Sequence, residues 1–251
     1  MPVLSQDEVG PLKNKYKHMK IGLLGYGKMG KTIEQIALHR QHDITLKVEK
    51  DTDSYALENI DVAIDFSTPD AAVANITKCF NHNIPVISGT TGWLDHYDDV
   101  VALCKEKNGT FLYASNFSLG VNIFFELNKT LSKLMKNLPE YDISMEEIHH
   151  TEKLDAPSGT AITLAEEILK NSKYGSWTLD AAKLNDLHIH SKRIDKVPGT
   201  HQVVYNSSVD TIEIKHTAHN RDGFALGAVI AAEWIVGKKG VFSMKDVLNI
   251  G

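Results

Sequence analysis

The sequence predicts an α/β protein in two parts: a parallel sheet domain covered by helices, and a smaller α+β domain with an open, mainly antiparallel sheet. Three observations predict it. Between residues 20 and 116 short apolar runs alternate with helical patterns, the signature of βα units that lay down a parallel sheet. After residue 160 a helical stretch is followed by three strand-like runs with no helix between them, as in an α+β unit. The 251 residues, 42% hydrophobic and 24% charged, suffice for two modest domains, each with its own core.

Residues 1–18 are polar, lack the apolar core of a signal peptide, and are expected to be a leader outside the fold. The apolar run Lys20–Leu24 then feeds Gly25, Tyr26, Gly27, Lys28, Met29 and Gly30, and a helical pattern follows through Ile33, Ile36, Ala37 and Leu38. This strand, glycine turn and helix read as a Rossmann-type dinucleotide site. Gly25 permits the tight turn, Gly27 lets backbone approach a pyrophosphate, and Gly30 allows the helix to pack closely on the strand. A second strand over 44–48 ends at Glu49 and Lys50, about 20 residues beyond the glycines, where an adenosine ribose is read. Glu49 would accept from the ribose hydroxyls and repel a 2′-phosphate, whereas Lys50 would pair with that phosphate, so use of both NADH and NADPH is expected. The plainer alternative is a glycine turn that serves no nucleotide, and the strand-turn-helix context weighs against it.

The alternation continues. Residues 62–66 (VAIDF) read as a buried strand, and Ser67-Thr68-Pro69-Asp70 as a helix start with an early proline for a helix over 71–80. A strand over 84–87 delivers Gly89, Thr90 and Thr91 to the carboxyl edge of the sheet, where ligands of parallel sheets bind. A helix over 94–107 and the strand Thr110–Tyr113 deliver Ala114, Ser115, Asn116 and Phe117 to the same edge.

A long helix over 121–137 and an imperfectly alternating strand over 141–148 (Ile143, Met145, Ile148) begin the second part. Next comes EEIHHTEKLDAPSGTA, residues 146–161, which reads as an anion pocket with an acid beside it. His149, His150 and Lys153 are protonatable donors, and Ser158, Gly159 and Thr160 offer a hydroxyl and unpaired N–H groups where a helix over 160–170 begins. The plainer reading is a surface histidine pair and an ordinary helix cap. Strands are expected over 187–193, 201–206 and 210–218, and the segments 223–236 and 243–248 are expected to pack back on the first domain. The domains are therefore drawn as 19–116 with 226–251, binding the dinucleotide, and 117–225, binding substrate and mediating assembly.

A net charge of −5 with no basic excess argues against nucleic acid as a partner. The most apolar late segment, 224–236, is too short to span a bilayer and carries Glu233, so no membrane anchor is implied. Cys79 and Cys104 both fall in amphipathic helical patterns, which suits buried reduced thiols in the cytoplasm rather than a disulfide or a metal site; no metal is expected.

Taken in order, GYGKMG, DFSTP, SGTTGW, ASNFSLGVN, EEIHHTEKLDAPSGTA, VPGTH and GVFSMKDVL resemble the dihydrodipicolinate (4-hydroxy-tetrahydrodipicolinate) reductases of the diaminopimelate route to lysine, from Met19 to the C-terminus. The resemblance implies hydride transfer from NADH or NADPH to a cyclic imine dicarboxylate, with loss of water. By the same resemblance His149 is the general acid, and Lys153 binds a carboxylate and stabilises developing charge. His150, Gly159 and Thr160 hold the substrate carboxylates. Gly25 to Gly30 take the pyrophosphate, and Gly89, Thr90, Thr91 and Ala114 to Phe117 the nicotinamide end. It also implies a cytoplasmic homotetramer. The glycine turn is one residue shorter than the GxGGRMG form of longer relatives, and the segments after Asp51 and Thr200 are abbreviated, the second falling in the assembling sheet. Two other readings are a nucleotide-sensing regulator that has lost catalysis, which would have damaged the acid or the pocket, and an amino-acid semialdehyde dehydrogenase, which would need a cysteine or a differently placed histidine, and neither Cys79 nor Cys104 falls in a loop at a strand end.

Overall fold

The computed structural model describes residues 17–52, 54–180 and 185–250; the expected leader, except its last two residues, lies outside them. The first elements are β1 (Lys20–Leu24), α1 (Lys28–His39), β2 (Asp43–Val48), β3 (Val62–Asp65), α2 (Pro69–Asn81) and β4 (Val86–Ser88). A single 3-10 turn, Leu94–His96, leads into α3 (Tyr97–Glu106) and β5 (Thr110–Tyr113). Then come α4 (Leu119–Met135), β6 (Asp142–His149), α5 (Gly159–Leu169), β7 (Ser176–Thr178), β8 (Asp186–Arg193), β9 (Gly199–Asn206) and β10 (Thr211–Ala218). The chain ends with α6 (Asp222–Ile235), β11 (Gly240–Phe242) and α7 (Met244–Leu248). Two compact units result: one runs to Ser115 and takes up Ala228–Val247, the other holds Asn116–Gly227 and resumes at Leu248.

The first unit is built on a six-stranded sheet in the order β2-β1-β3-β4-β5-β11, with every pairing parallel. β3 and β4 are buried along their whole length, as strands of a helix-covered parallel sheet must be. β11 was not expected from sequence, because three residues between glycine and serine carry no readable period. Ile76 and Phe80 of α2 and Val100 and Cys104 of α3 form a core with Trp93 and Phe111. Both cysteines are buried free thiols. Glu233, the acid within the apolar segment 224–236, is also buried, where Arg40 grips it through two hydrogen bonds of 2.8 and 2.7 Å and His42 through a third of 2.8 Å. An acid that reads as a blemish in an apolar helix is thus a matched ion pair. Strand order reverses between β1, which continues to β2 on one side, and β3 on its other side; this opens a crevice beyond their carboxyl ends.

The second unit carries a five-stranded sheet in the order β10-β9-β6-β8-β7. Its β10/β9 and β9/β6 pairings are antiparallel, whereas β6/β8 and β8/β7 are parallel, so the sheet is mixed rather than mainly antiparallel. For β6/β8 the physical reason is α5. Parallel neighbours need a crossover, and the helix between β6 and β8 provides it. β7, a three-residue edge strand in the polar stretch after α5, also escaped sequence detection. Phe124 and Met135 of α4 and Leu164, Ala165 and Ile168 of α5 pack on the sheet through Met145, Leu187, Ile189, Val203 and Tyr205. Among the described residues no helix is long and apolar enough to cross a membrane.

Candidate active site

In the first unit the crevice at the reversal point is a cavity of about 470 Å³ lined by Gly25, Tyr26, Gly27, Glu49, Lys50, Ser67 and Thr68, among others. The glycines divide their work. Gly25 has φ +101°, and a side chain there would lie 2.2 Å from the Phe66 carbonyl oxygen; its N–H and that of Tyr26 both donate to the Val48 carbonyl, at 3.0 and 2.9 Å. At Gly30 a Cβ would lie 2.4 Å from the Gly25 oxygen, so α1 approaches the turn as only glycine allows. At Gly27, among the described residues, nothing lies within 4 Å of where a Cβ would be, and no side chain caps the helix that starts there. An open backbone at a helix N-terminus is a seat for a phosphate group, so the residues present fit a dinucleotide. Lys28 is exposed and Met29 half-buried, and neither lines the cavity. The Tyr26 side chain turns onto its own helix and strand, with its hydroxyl on Glu34 and the Lys47 ammonium 4.8 Å from its ring centre. Glu49 and Lys50 are exposed at the end of β2, in a turn closed by Thr52, which accepts from the Glu49 N–H at 3.0 Å.

The loop after β4 is fastened from below. Asp65, fully buried, accepts hydrogen bonds from Ser67 Oγ (2.7 Å), Asn75 Nδ2 (3.1 Å), Ser88 Oγ (2.8 Å) and Thr90 Oγ1 (2.7 Å). Burial pushes its carboxyl up and these four bonds pull it back, with burial the stronger. Thr90 Oγ1 also accepts from the Ser67 N–H at 2.9 Å, so its hydroxyl is committed to the scaffold, and Thr91 is the exposed hydroxyl of the pair. Gly89 lies against the Phe66 ring, where a Cβ would come within 2.3 Å. Ala114 donates to the Ser88 carbonyl at 3.2 Å, and Ser115 is exposed. In the second unit Asn116 accepts from the Ser118 N–H at 2.9 Å, while Phe117 is buried with its carbonyl where a side chain on Gly227 would fall.

The second unit holds the acid. Along the helix-facing side of its sheet, Met145, Ile189 and Val203 form an apolar layer in register. Two residues further the matching layer is Glu147, Ser191 and His201, and beyond it His149 pairs with Arg193. The strand's inward set is thus 143, 145, 147 and 149, and the Ile148 read from sequence as part of the apolar alternation belongs to the opposite face. Glu147 is fully buried, and its Oε1 accepts from Ser191 Oγ and from both terminal nitrogens of Arg193, each at 3.1 Å. Its Oε2 lies 2.9 Å from His149 Nδ1 and 3.9 Å from His201 Nε2, contacts that fall short of linear hydrogen bonds. Burial alone would raise this carboxyl, but His149, Ser158 and Ser191 outweigh it and hold it well below the usual range. His201, buried and facing the His149 ring edge-on at 5.0 Å, is pushed down to about 3, by burial first and then by His149.

His201 Nε2 is 3.0 Å from Ser158 Oγ, and that oxygen caps α5 by accepting from the Ala161 N–H at 3.2 Å. The Ile162 N–H goes to the Ser158 carbonyl, which leaves the N–H groups of Gly159 and Thr160 available among the described residues. Gly159 is exposed and has nothing within 4 Å of a notional Cβ. Lys153 is closed on Asp155 by contacts of 2.7 and 2.8 Å, and that contact holds the Asp155 carboxyl down. Arg193 reaches the same loop, donating to the backbone carbonyls of Lys153 (3.2 Å) and Asp155. Among the described residues His150 Nδ1 is buried without a hydrogen-bond partner. The structure therefore groups His149, His150, Lys153, Gly159 and Thr160, and adds Glu147, Ser191, Arg193 and His201, which sequence reasoning did not select. Glu147, His149 and His201 each bring one donor atom within 4.8 Å of the others, near enough for a metal ion. The Arg193 fork on the same carboxylate makes it a poor seat for a further positive charge.

Residues 19–117 match the family description "Dihydrodipicolinate reductase, N-terminus" and residues 120–248 match "Dihydrodipicolinate reductase, C-terminus". A 4-hydroxy-tetrahydrodipicolinate reductase of Christiangramia forsetii is 58% identical over 234 residues, covering 92% of this chain and 98% of the relative. One from Thermosipho africanus is 36% identical over 233 residues, with the same coverage. Among solved structures, a dipicolinate-bound dihydrodipicolinate reductase from Paenisporosarcina sp. TG-14 superposes with a TM-score of 0.75 at 20% identity, over 90% of this chain and 98% of that one, a likeness of fold. With both halves matched in order and a relative above half identity along nearly its whole length, the chain belongs to the dihydrodipicolinate reductase family.

Proposed function

We propose that His149 donates the proton, and that His150, Lys153 and the start of α5 hold the carboxylates, in the NAD(P)H-dependent reduction of dihydrodipicolinate to tetrahydrodipicolinate. The chain is an oxidoreductase of the family that carries out this step of lysine biosynthesis, and the form of the substrate we infer is 4-hydroxy-tetrahydrodipicolinate, which loses water in the course of reduction. The observation that carries the assignment is the run of close contacts from His149 to Glu147, His201 and Ser158, which caps α5: it sets the acid beside the N–H groups of Gly159 and Thr160. A dianion needs donors at both ends. Those two N–H groups suit one carboxylate. His150 and Lys153 suit the other, since an ammonium has three donors and Asp155 does not exhaust them.

Reduced nicotinamide, when bound, supplies a hydride to the conjugated imine. Gly25, Gly27 and Gly30 seat the pyrophosphate, Glu49 and Lys50 read the adenosine ribose, and Gly89, Thr90, Thr91 and Ala114 to Phe117 bound the nicotinamide end, Thr90 through backbone groups. Hydride addition leaves electron density on the neighbouring carbon, and His149 delivers the proton that quenches it. Lys153 meanwhile balances the charge that develops on the imine side. A four-chain assembly belongs to the same reading and rests on the family resemblance of the second domain.

The test is His149→Gln, with NADH oxidation followed spectroscopically on freshly generated substrate. We expect kcat to fall by roughly 10²- to 10⁴-fold, the contribution of a general acid, with KM changed little. A raised KM with unchanged kcat would make His149 a binding residue.

A further inference from the structure

We infer that Glu147 is a positioning residue for the reduction, turning His149 so that Nε2 is the edge that gives up the proton. This rests on the reading of His149 as the acid. Glu147 has one free choice left to it. Ser191 and the Arg193 fork occupy Oε1, so Oε2 is the oxygen that meets His149 Nδ1, 2.9 Å away. A carboxylate only accepts, so at this distance it favours a hydrogen on Nδ1 of the neutral ring, as the cationic ring carries in any case. Nε2 then becomes the site that gains and loses the proton.

Gly199, in the VPGTH motif to which the catalytic reading gave no role, supplies the second half of the argument. A Cβ there would stand 3.1 Å from His149 Nε2 and 3.4 Å from Cδ2, so any side chain would crowd the proton-donating edge. The strand that brings Gly199 also brings His201 two residues later. The titratable and charged groups on the neighbouring elements are Glu147 and His150 on its own strand and the turn after it, Arg193 on β8, His201 on β9, His216 opposite His201 on β10, and Lys153 and Asp155 in the loop that Arg193 holds. Of these, Glu147 is the anion in contact with His149. His201, pushed down to about 3 by burial and by His149, stays neutral at working pH and does not compete as a cation for the carboxylate. Arg193 adds a coupling, because the side chain that pins Glu147 also holds the carbonyls of Lys153 and Asp155.

Glu147→Gln tests it. The Arg193 fork keeps the amide oxygen, so the amide N–H₂ would face Nδ1, and an imidazolium has no lone pair there to accept it. We expect kcat to drop on the order of 100-fold, with KM for substrate and NADH within a few-fold, and the E147Q/H149Q double variant to be no slower than H149Q. A purely structural role predicts otherwise: loosened KM values and a double variant slower than either parent. Wild-type kcat in E147Q, or losses that multiply in the double variant, would overturn the inference. Should E147Q fail to fold, ¹⁵N imidazole spectra of the wild-type protein decide it, with the His149 signals identified by their disappearance in H149Q. The neutral ring should carry its hydrogen on Nδ1; an Nε2-protonated neutral ring overturns the proposal. Full activity in H149Q would be a different failure, that of the acid reading itself, and is visible without altering Glu147.

Discussion

Two glycines three residues apart in the same turn should fail in opposite ways. At Gly30 a Cβ would lie 2.4 Å from the Gly25 carbonyl oxygen, about 1 Å inside ordinary contact, and the obstacle is backbone that cannot rotate aside. Gly30→Ala must therefore push α1 off the turn. Overpacking of this kind costs about 1–3 kcal/mol, which for a chain of this size lowers Tm by roughly 3–10 °C. At Gly27 nothing lies within 4 Å of the added methyl, and the backbone there (φ −83°, ψ −155°) is open to any residue. Gly27→Ala should melt with the wild type, within about 1 kcal/mol, since the poorer helix cap and the stiffer unfolded chain roughly cancel. Yet that methyl would stand where a pyrophosphate must meet the N–H groups of α1. Losing one charge-assisted hydrogen bond, at about 1.5–3 kcal/mol, should weaken NADH binding by roughly 10- to 100-fold. Calorimetric melting without cofactor and a fluorescence titration with NADH measure the two effects separately. Unchanged NADH affinity in G27A would refute the phosphate seat, and a wild-type Tm in G30A would refute the close approach of helix and turn.

Two further outcomes follow from the geometry. Lys50→Ala should weaken NADPH binding by about 10-fold and leave NADH unaffected, because an exposed ammonium on a 2′-phosphate sits at the low end of charge-assisted bonds; equal loss for both cofactors would show that Lys50 does not read the phosphate. His201 is held neutral in the fold and pushed down to about 3, so as pH falls below 6.5 the unfolded chain takes up a proton that the folded chain refuses; its contribution is fully present above 6.5 and is lost toward 3, at up to about 1.4 kcal/mol per pH unit. Denaturant curves at pH 7 and pH 5 should thus show the wild type losing more stability than His201→Gln, and parallel losses would mean that His201 already charges in the folded state.

Most of the first unit was legible because its signals are local. The period of the apolar runs marks β1, β3 and β5, an early proline starts α2, and the glycine spacing announces an open helix N-terminus. What escaped was set by partners distant in sequence. β7 and β11 are three residues each, too short for any period, and exist because a longer strand offers its edge. The parallel β6/β8 pairing depends on α5 being a crossover, which a list of elements in order does not state. The place of Thr90 in its loop does not reveal that Asp65, 25 residues earlier, takes its hydroxyl.

Glu147 is the instructive miss. Reading Ile143, Met145 and Ile148 as one face puts the phase of the strand wrong by one at its end, because hydropathy favours the isoleucine over the acid. The true inward set places a carboxylate in a fully buried position, which would be prohibitive if it stood alone. It is tolerable because β8 runs parallel to β6, so both strands turn polar at the same edge: Ser191 falls opposite Glu147 and Arg193 opposite His149. An inward acid near the carboxyl end of an apolar strand is therefore a demand for a donor pair spaced by two on a neighbouring strand. The alternation Leu187, Ile189, Ser191, Arg193 meets that demand. Read as a matched pair, the two strand ends point to a buried, charged support behind His149, whereas each alone looks like an apolar strand fraying into a loop.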